Sequence, residues 1–131
     1  MLTEKDYCDY DTCVALIEMG FVGTSRYYYD KKNHKLHITN YGITYTARTA
    51  SASDYVLAIH LYDAQKWLRE EKGIIISPAP YEDYKWCACI FRIKFPDELC
   101  KEFDSYEEAL LEGIKEAVKL LKEEKNGNSG N

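Results

Sequence analysis

The chain has 131 residues, a length typical of one domain that can bury a hydrophobic core without metal or disulfide staples. Its net charge of −5 argues against a protein that coats nucleic acid or lies on an anionic membrane. No apolar run is long enough to span a bilayer, and residues 1–6 lack the basic and apolar regions of a secretory signal. We therefore expect a cytoplasmic protein without a membrane partner.

The first predicted element is a helix over residues 10–19. Asp9 is a suitable N-cap, and apolar residues recur at helical spacing behind it. Gly20 can take the left-handed position that ends a helix, and Phe21 can fold back onto the last turn. This combination predicts a helix with both ends specified by the sequence.

Three short strands are predicted next, over residues 26–30, 35–39 and 43–47. Lysines and polar residues at 31–34 indicate the first turn, and Asn40 and Gly42 indicate the second. In the middle strand Leu36 and Ile38 share one face, and His37 lies on the other. The pattern is typical of a meander, followed by a polar loop over residues 49–54.

The second half begins with a helix over residues 60–72, where His60 is expected to act as a cap, and continues with a short strand over 74–76. Two prolines, Pro78 and Pro80, favour a connection over residues 78–83. A long strand follows over residues 86–94. Both of its faces are apolar, which predicts a central strand covered on both sides, in part by another element or a second subunit.

The last helix, over residues 105–124, has the strongest signal. Ser105 and Glu108 form a capping box, an apolar stripe follows at helical spacing, and lysines come late in the helix. Residues 126–131 are only Asn, Gly and Ser, so we expect a disordered tail after a single domain over 1–125. The predicted fold is α+β, an antiparallel or mixed sheet of about five strands with three helices in the order αβββαββα.

Residues 24–49 differ in charge from the rest of the chain, because they hold five basic residues and one acid. They also hold many of the 12 tyrosines. Aromatic and cationic side chains that alternate on a sheet can stack bases and contact phosphates, although tyrosine is also simply a good strand residue. This hairpin region is the candidate binding surface, with Arg26, Tyr27, Tyr29, Lys31, Lys32, Lys35, His37 and Arg48 as its members.

No catalytic or metal-binding arrangement stands out. The five cysteines are odd in number and lack zinc spacing, so we interpret them as reduced thiols that pack as small hydrophobes. Cys87 and Cys89 share a strand face with apolar neighbours, which disfavours a thiolate site. The three histidines have no nucleophile arranged beside them, and no glycine-rich phosphate loop is present. We therefore predict no metal, no cofactor and no enzymatic activity.

Two segments stand out, Lys66-Trp67-Leu68-Arg69-Glu70 in the second helix and Ser105-Tyr106-Glu107-Glu108-Ala109 at the start of the last helix. With them, about residues 9–121 resemble a family of small uncharacterised proteins common in Bacteroidales genomes and their phages or mobile elements. The segment over residues 66–70 is the most specific piece of this resemblance. The family has no established activity, so the resemblance implies a genomic setting and no mechanism.

Two main hypotheses follow from these observations, beside a weaker third one, an enzyme whose site assembles only in three dimensions. The first is a non-enzymatic protein-interaction or accessory protein of a phage or mobile element, whose partner is another protein or a second copy in a homodimer. The second is a nucleic-acid or nucleotide binder that uses the basic, tyrosine-rich region 26–48. Binding that falls steeply with rising salt would indicate the second.

Overall fold

The computed structural model of the protein describes residues 4–39, 44–46, 54–92 and 97–129. These residues form three α-helices and eight strands, and every strand pairing is antiparallel, so the predicted α+β class is confirmed. In chain order the elements are α1 (Tyr10–Glu18), β1 (Thr24–Ser25), β2 (Tyr27–Asp30), β3 (Leu36–Ile38), β4 (Tyr45–Thr46), β5 (Tyr55–Leu57), α2 (Leu61–Lys72), β6 (Ile74–Tyr81), β7 (Lys85–Arg92), β8 (Asp97–Phe103) and α3 (Tyr106–Ser129).

The chain divides into two compact units, Met1–Ala64 and Gln65–Asn131. The single domain over residues 1–125 stays a prediction. The five-strand count and the order αβββαββα are wrong, because the described residues give αβββββαβββα. The strands β1, β5 and β8 were not predicted from the sequence. Two of these are only two and three residues long, too short for alternation to be visible, and the third, DELCKEF, is rich in charge.

Both ends of α1 form as the sequence predicts. The Asp9 side chain accepts a hydrogen bond from the amide of Thr12 at 2.9 Å, which satisfies one of the free N–H groups of the first turn. Gly20 has a φ of 104°, and its amide donates to the Ile17 carbonyl at 3.0 Å. The amide of Phe21 donates to the Leu16 carbonyl at 2.9 Å, which completes a Schellman motif.

The first unit contains a three-stranded sheet of order β3-β2-β5 and a separate pair, β1 with β4. Helix α1 packs against β5, whose Val56 and Leu57 are buried. The amide of Cys8 donates to the carbonyl of Ile59 at 2.8 Å and ties the segment before α1 to the segment after β5. The core of this unit therefore lies between α1 and the sheet.

The second unit contains a three-stranded sheet of order β6-β7-β8, with α3 packed on one face. On that face Ile76, Ala88 and Ile90 are each 1% exposed. Strand β7 is central, as predicted, but the opposite face carries Phe91 at 42% exposure and Ile75 at 47%. The cover predicted for that opposite face stays a prediction.

The two prolines lie inside strand β6, which runs to Tyr81, so the predicted connection over residues 78–83 is wrong for its first four residues. The carbonyl of Ile76 accepts a hydrogen bond from the Gln65 side chain at 2.8 Å, so Ile76 directs its backbone polar groups away from β7. Pro78 and Pro80 have the same parity as Ile76. Each proline nitrogen therefore also faces away from the β7 ladder, where no N–H is needed, and proline is tolerated on this edge strand.

Helix α3 begins with Ser105 as its predicted N-cap, but the return bond of the predicted capping box goes to the amide of Asp104 instead of that of Ser105. The amide of Glu108 donates to the Ser105 hydroxyl at 3.1 Å, and the Glu108 carboxylate accepts from the amide of Asp104 at 3.3 Å. The helix extends to Ser129, five residues beyond its predicted end at Glu124. The disorder predicted for residues 126–131 stays a prediction. No helix in the described part of the chain is both long enough and apolar enough to cross a bilayer.

Candidate interaction surface

A hairpin tip with three exposed lysines, Lys31, Lys32 and Lys35, joins β2 to β3. Its backbone is well fixed. The amide of Lys32 donates to the Asp30 carboxylate at 2.7 Å, and the amide of His34 donates to the Asp30 carbonyl at 2.8 Å. The amide of Asp30 in turn donates to the Lys35 carbonyl at 3.0 Å. The three lysines therefore lie on an ordered turn, and Asp30 takes part in each of the hydrogen bonds that fix it.

The tip is also held by a ring contact. His34 has a φ of 58°, in the left-handed region, and its ring stacks on that of Tyr10, with centroids 3.6 Å apart and planes inclined by 11°. Tyr10 is the first residue of α1. The stack links the hairpin tip to the start of the helix, so His34 has a structural role.

The register of the hairpin separates the tyrosines of β2 onto opposite faces of the sheet. Tyr28 pairs with His37, whereas Tyr29 pairs with Leu36. Because directly paired residues share a face and neighbours alternate, Tyr27 lies with Tyr29, and Tyr28 lies with His37. The predicted members Tyr27 and Tyr29 are therefore on a different face from the predicted member His37.

Tyr29 lies in the core of the first unit. It is 6% exposed, and its hydroxyl donates to the carbonyl of Cys8 at 2.6 Å. Burial raises the pKa of Tyr29, and the nearby thiols add to the effect. Tyr27 is half-buried and packs on the ring of Tyr7 with centroids 4.8 Å apart. These two tyrosines stabilise the unit, and Tyr29 contributes no surface.

Four rings meet on the other face: Tyr28, His37, Tyr45 and Tyr55. We call them the aromatic cluster. The ring of Tyr28 lies 4.5 Å from that of Tyr55, 5.7 Å from that of Tyr45 and 5.5 Å from that of His37. Burial raises the pKa of Tyr28, and the neighbouring tyrosines add to the shift. His37 is the exposed member, so its ring forms the outer part of the cluster.

The spacing of these rings determines what can bind to them. A planar group inserted between two rings requires about 7 Å between centroids, twice the van der Waals contact distance. The widest tyrosine pair, Tyr45 with Tyr55, is 6.3 Å apart, and the others are closer. The tyrosines therefore contact one another directly, and a partner can reach the cluster only from outside.

The remaining predicted members are placed as follows. Lys35 continues the alternation of His37 and lies on the same face of the sheet. Arg26 is exposed just before β2, and its carbonyl accepts from the amide of Thr39 at 2.7 Å. Arg48 lies outside the described residues. Lys35, His37 and the aromatic cluster thus share one face of the sheet, and Lys31 and Lys32 lie on the adjoining turn.

The sequence contained a signal for Tyr28 that the predicted set lacks. If the turn is at residues 31–34, antiparallel pairing places Tyr28 opposite His37. Leu36 and Ile38 then mark the opposite, more apolar face, which Tyr27 and Tyr29 must share. The predicted turn and the alternation together would have placed Tyr28 in the candidate binding surface instead of Tyr27 and Tyr29. No comparable signal pointed to Tyr45 or Tyr55, because their contacts depend on long-range placement.

The packing role predicted for the thiols is confirmed for Cys8 and Cys13, which are both fully buried. The Cys13 thiol donates to the carbonyl of Cys8 at 3.5 Å and accepts from the amide of Ile59 at 3.3 Å. A hydrogen bond with Cys13, together with burial, raises the pKa of the Cys8 thiol well above its usual value. Cys87 and Cys89 are half-buried on β7.

His60 has the capping role that the sequence predicts. Its Nδ1 accepts a hydrogen bond from the amide of Tyr62 at 3.1 Å, at the start of α2. Among the residues that the structure describes, no group of three or more His, Cys, Asp or Glu side chains is arranged to hold a metal ion.

Compared with known proteins, the chain matches no family model, no curated protein and no solved structure. The family resemblance of the sequence stays a prediction.

Proposed function

We propose that this protein is a non-enzymatic protein-interaction protein that binds an acidic partner through the surface formed by Lys31, Lys32, Lys35, His37 and Tyr28. We call it the aromatic–lysine surface. The observation that carries the proposal is the exposed ring of His37 stacked on Tyr28, beside lysines on an ordered turn. A preorganised surface binds more tightly because little conformational freedom is lost on association.

The chemistry of the surface suits a protein partner. Tyrosine and other aromatic residues are enriched in protein interfaces, since they bury a large apolar area and retain a polar tip. The three lysines are exposed and close in sequence, so they favour carboxylates on the partner and increase the rate of encounter. The aromatic cluster supplies contact area, and the lysines supply orientation.

The alternative is a binder of single-stranded nucleic acid. The exposed lysines beside an outward-facing ring favour it, because such proteins combine phosphate contacts with base stacking. Two observations weigh against it. The tyrosine rings of the cluster are too close together to admit a base, and Tyr29 is buried on the opposite face of the sheet. One exposed ring is a small stacking surface.

The proposed setting is a cytoplasmic accessory protein of a phage or mobile element, and its phage or mobile-element part rests on the sequence resemblance alone. The resemblance names no partner, so acidic character is the only partner property that the proposal specifies.

The first test is selection of a random peptide library on the immobilised protein. We expect enrichment of peptides that combine Asp or Glu with an aromatic residue. Their affinity should fall at least tenfold for the K31E/K32E/K35E variant, since rim charges and their repulsion change binding by about 1.4 kcal/mol or more. The matched control is K66E/K119E/K122E, which changes the net charge equally at exposed lysines elsewhere. No enrichment, or equal losses in both variants, would contradict the proposal.

The second test separates the two candidate functions. Fluorescence anisotropy with a labelled single-stranded oligothymidine, measured from low to high salt, reports nucleic-acid binding directly. A protein-interaction surface should give weak binding that the two charge-reversal variants reduce equally. Tight binding that falls steeply with salt and is lost only in K31E/K32E/K35E would favour the nucleic-acid alternative.

A further inference from the structure

The turn between β6 and β7 carries an exposed tyrosine in an unfavourable backbone conformation. Tyr84 is 99% exposed, and its φ is 61°. Asp83 before it has a φ of 57° and a ψ of 44°. The turn is closed by a hydrogen bond from the amide of Lys85 to the carbonyl of Glu82. Two consecutive residues therefore occupy the left-handed region, and neither is glycine.

Folding gives no reason for tyrosine at this position. Glycine and asparagine are the usual residues where a hairpin turn requires positive φ, and aspartate is tolerated. A bulky aromatic residue is disfavoured there. Burial could compensate for that cost, but a side chain with 99% exposure gains no packing. Strained, exposed residues that the fold does not need are candidates for contact with another molecule.

The surroundings of Tyr84 indicate what kind of molecule fits. Glu82 and Asp83 are exposed and acidic, so the tip presents one aromatic ring beside two carboxylates. Pro78 and Pro80 lie in the strand that leads to the tip and restrict its backbone. A tip with two carboxylates and an aromatic ring matches the acidic partner that we propose for the aromatic–lysine surface.

We propose that the tip Glu82–Tyr84 of one copy docks on the aromatic–lysine surface of a second copy. This inference rests on the proposed function and names its partner. The ring of Tyr84 packs against the exposed ring of His37, and the carboxylates of Glu82 and Asp83 face the lysines of the β2–β3 tip. Tyrosine is among the residues that most often dominate binding at interfaces.

The two contacting surfaces differ, and every copy has both the tip Glu82–Tyr84 and the aromatic–lysine surface. The association either closes as a reciprocal pair or continues as an open chain, and both raise the average mass with concentration. Opposite charges on the two surfaces make the association weaken as salt is added.

The test is sedimentation velocity of the full chain over a concentration series at low and high salt. Wild type should associate, and Tyr84→Ala should shift the association to at least tenfold higher concentration. Tyr84→Gly should do the same while raising the melting temperature, because glycine relieves the backbone strain. A Tyr84→Gly variant that associates as wild type does would overturn the proposal.

Charge reversal supplies the decisive comparison. E82K/D83K and K31E/K32E/K35E should each abolish association alone, since like charges then face each other. An equimolar mixture of the two variants should associate again, and so should the chain that carries both sets of changes. Failure of the mixture to associate would overturn the docking scheme.

Two further outcomes are distinguishable. Loss of association in Ile75→Ser but not in Tyr84→Ala would assign self-association to the exposed face of the second sheet, where Ile75 is 47% exposed, and would overturn the proposal. A monomeric wild type would overturn it as well. If peptide selection then still enriches acidic aromatic peptides, the proposed function holds without self-docking. If selection also fails, both are wrong.

Discussion

A Cβ atom added at Gly113 would lie 2.5 Å from Cγ2 of Ile76 and 3.4 Å from Cβ of Ala88. Helix α3 thus approaches the sheet at a point where only glycine fits. Ile76 is 1% exposed, so its methyl group has little room to move away. The glycine lowers intrinsic helix stability in exchange for close contact with β6 and β7.

Gly113→Ala should therefore destabilise the second unit. Overpacking costs about 1 to 3 kcal/mol, and the gain in helix propensity offsets about 1 kcal/mol of it. We expect a net fall in the free energy of unfolding, measured by urea denaturation. The control is the same change in an Ile76→Ala background, where the clashing methyl is gone and the added Cβ partly fills a cavity. Equal losses in both backgrounds would contradict the clash.

The hydroxyl of Tyr29 supports a second prediction, because it donates to the carbonyl of Cys8 inside the first unit. Tyr29→Phe leaves that buried carbonyl with the weaker thiol of Cys13 as its donor. The free energy of unfolding should fall by about 1 to 3 kcal/mol. Tyr28→Phe, on the opposite face of the same strand, is the matched control and should change stability by no more than about 0.5 kcal/mol. Similar losses in the two variants would show that the hydrogen bond is not the cause.

The local features of the fold were predictable from sequence, because each depends on residues close in the chain. The N-cap at Asp9, the Schellman end at Gly20 and the N-cap at Ser105 all form as expected. Features that depend on strand pairing were harder to predict from the sequence. Pro78 and Pro80 exclude a central strand but not an edge strand whose nitrogens face outward, and the sequence does not state which strand lies at an edge.

In the candidate surface, too, the local features were predictable from the sequence and the features that depend on strand pairing were not. Its lysines could be found from charge alone, since a turn of polar residues is exposed wherever the hairpin packs. Its tyrosines could not all be found that way, because alternation states which residues share a face but not which face is buried. The exposure of Tyr84 was likewise hidden, since a two-proline segment did not suggest a hairpin with a protruding tip.

Stability at alkaline pH follows from Tyr7, which is 4% exposed. Burial, with smaller contributions from Tyr27, Asp6 and Asp63, raises the pKa of Tyr7 from 10.0 to about 12. The folded state then holds this proton more tightly than the unfolded state. Its contribution to stability is complete below pH 10 and is lost as the pH rises towards 12.

We therefore expect cooperative unfolding in this alkaline range, with tyrosinate absorbance rising together with the loss of the circular dichroism signal. Tyr7→Phe removes the titrating group and should move the midpoint to higher pH. Tyr84→Phe removes the hydroxyl of a residue that is 99% exposed and should leave the midpoint unchanged. An equal effect of the two substitutions would mean that ionisation of Tyr7 does not drive the transition.

The start of α2 depends on a histidine cap, since Nδ1 of His60 accepts from the amide of Tyr62. His60→Ala removes that acceptor and should lower the free energy of unfolding by about 0.5 to 2 kcal/mol. The His60 ring also contacts Tyr7, with centroids 5.4 Å apart, so alanine alone does not isolate the cap. His60→Asn loses the same ring contacts but restores an acceptor that is favoured at N-caps. The difference between the two variants in urea denaturation therefore measures the cap, and equal stability of the asparagine and alanine variants would assign the role of His60 to ring packing instead.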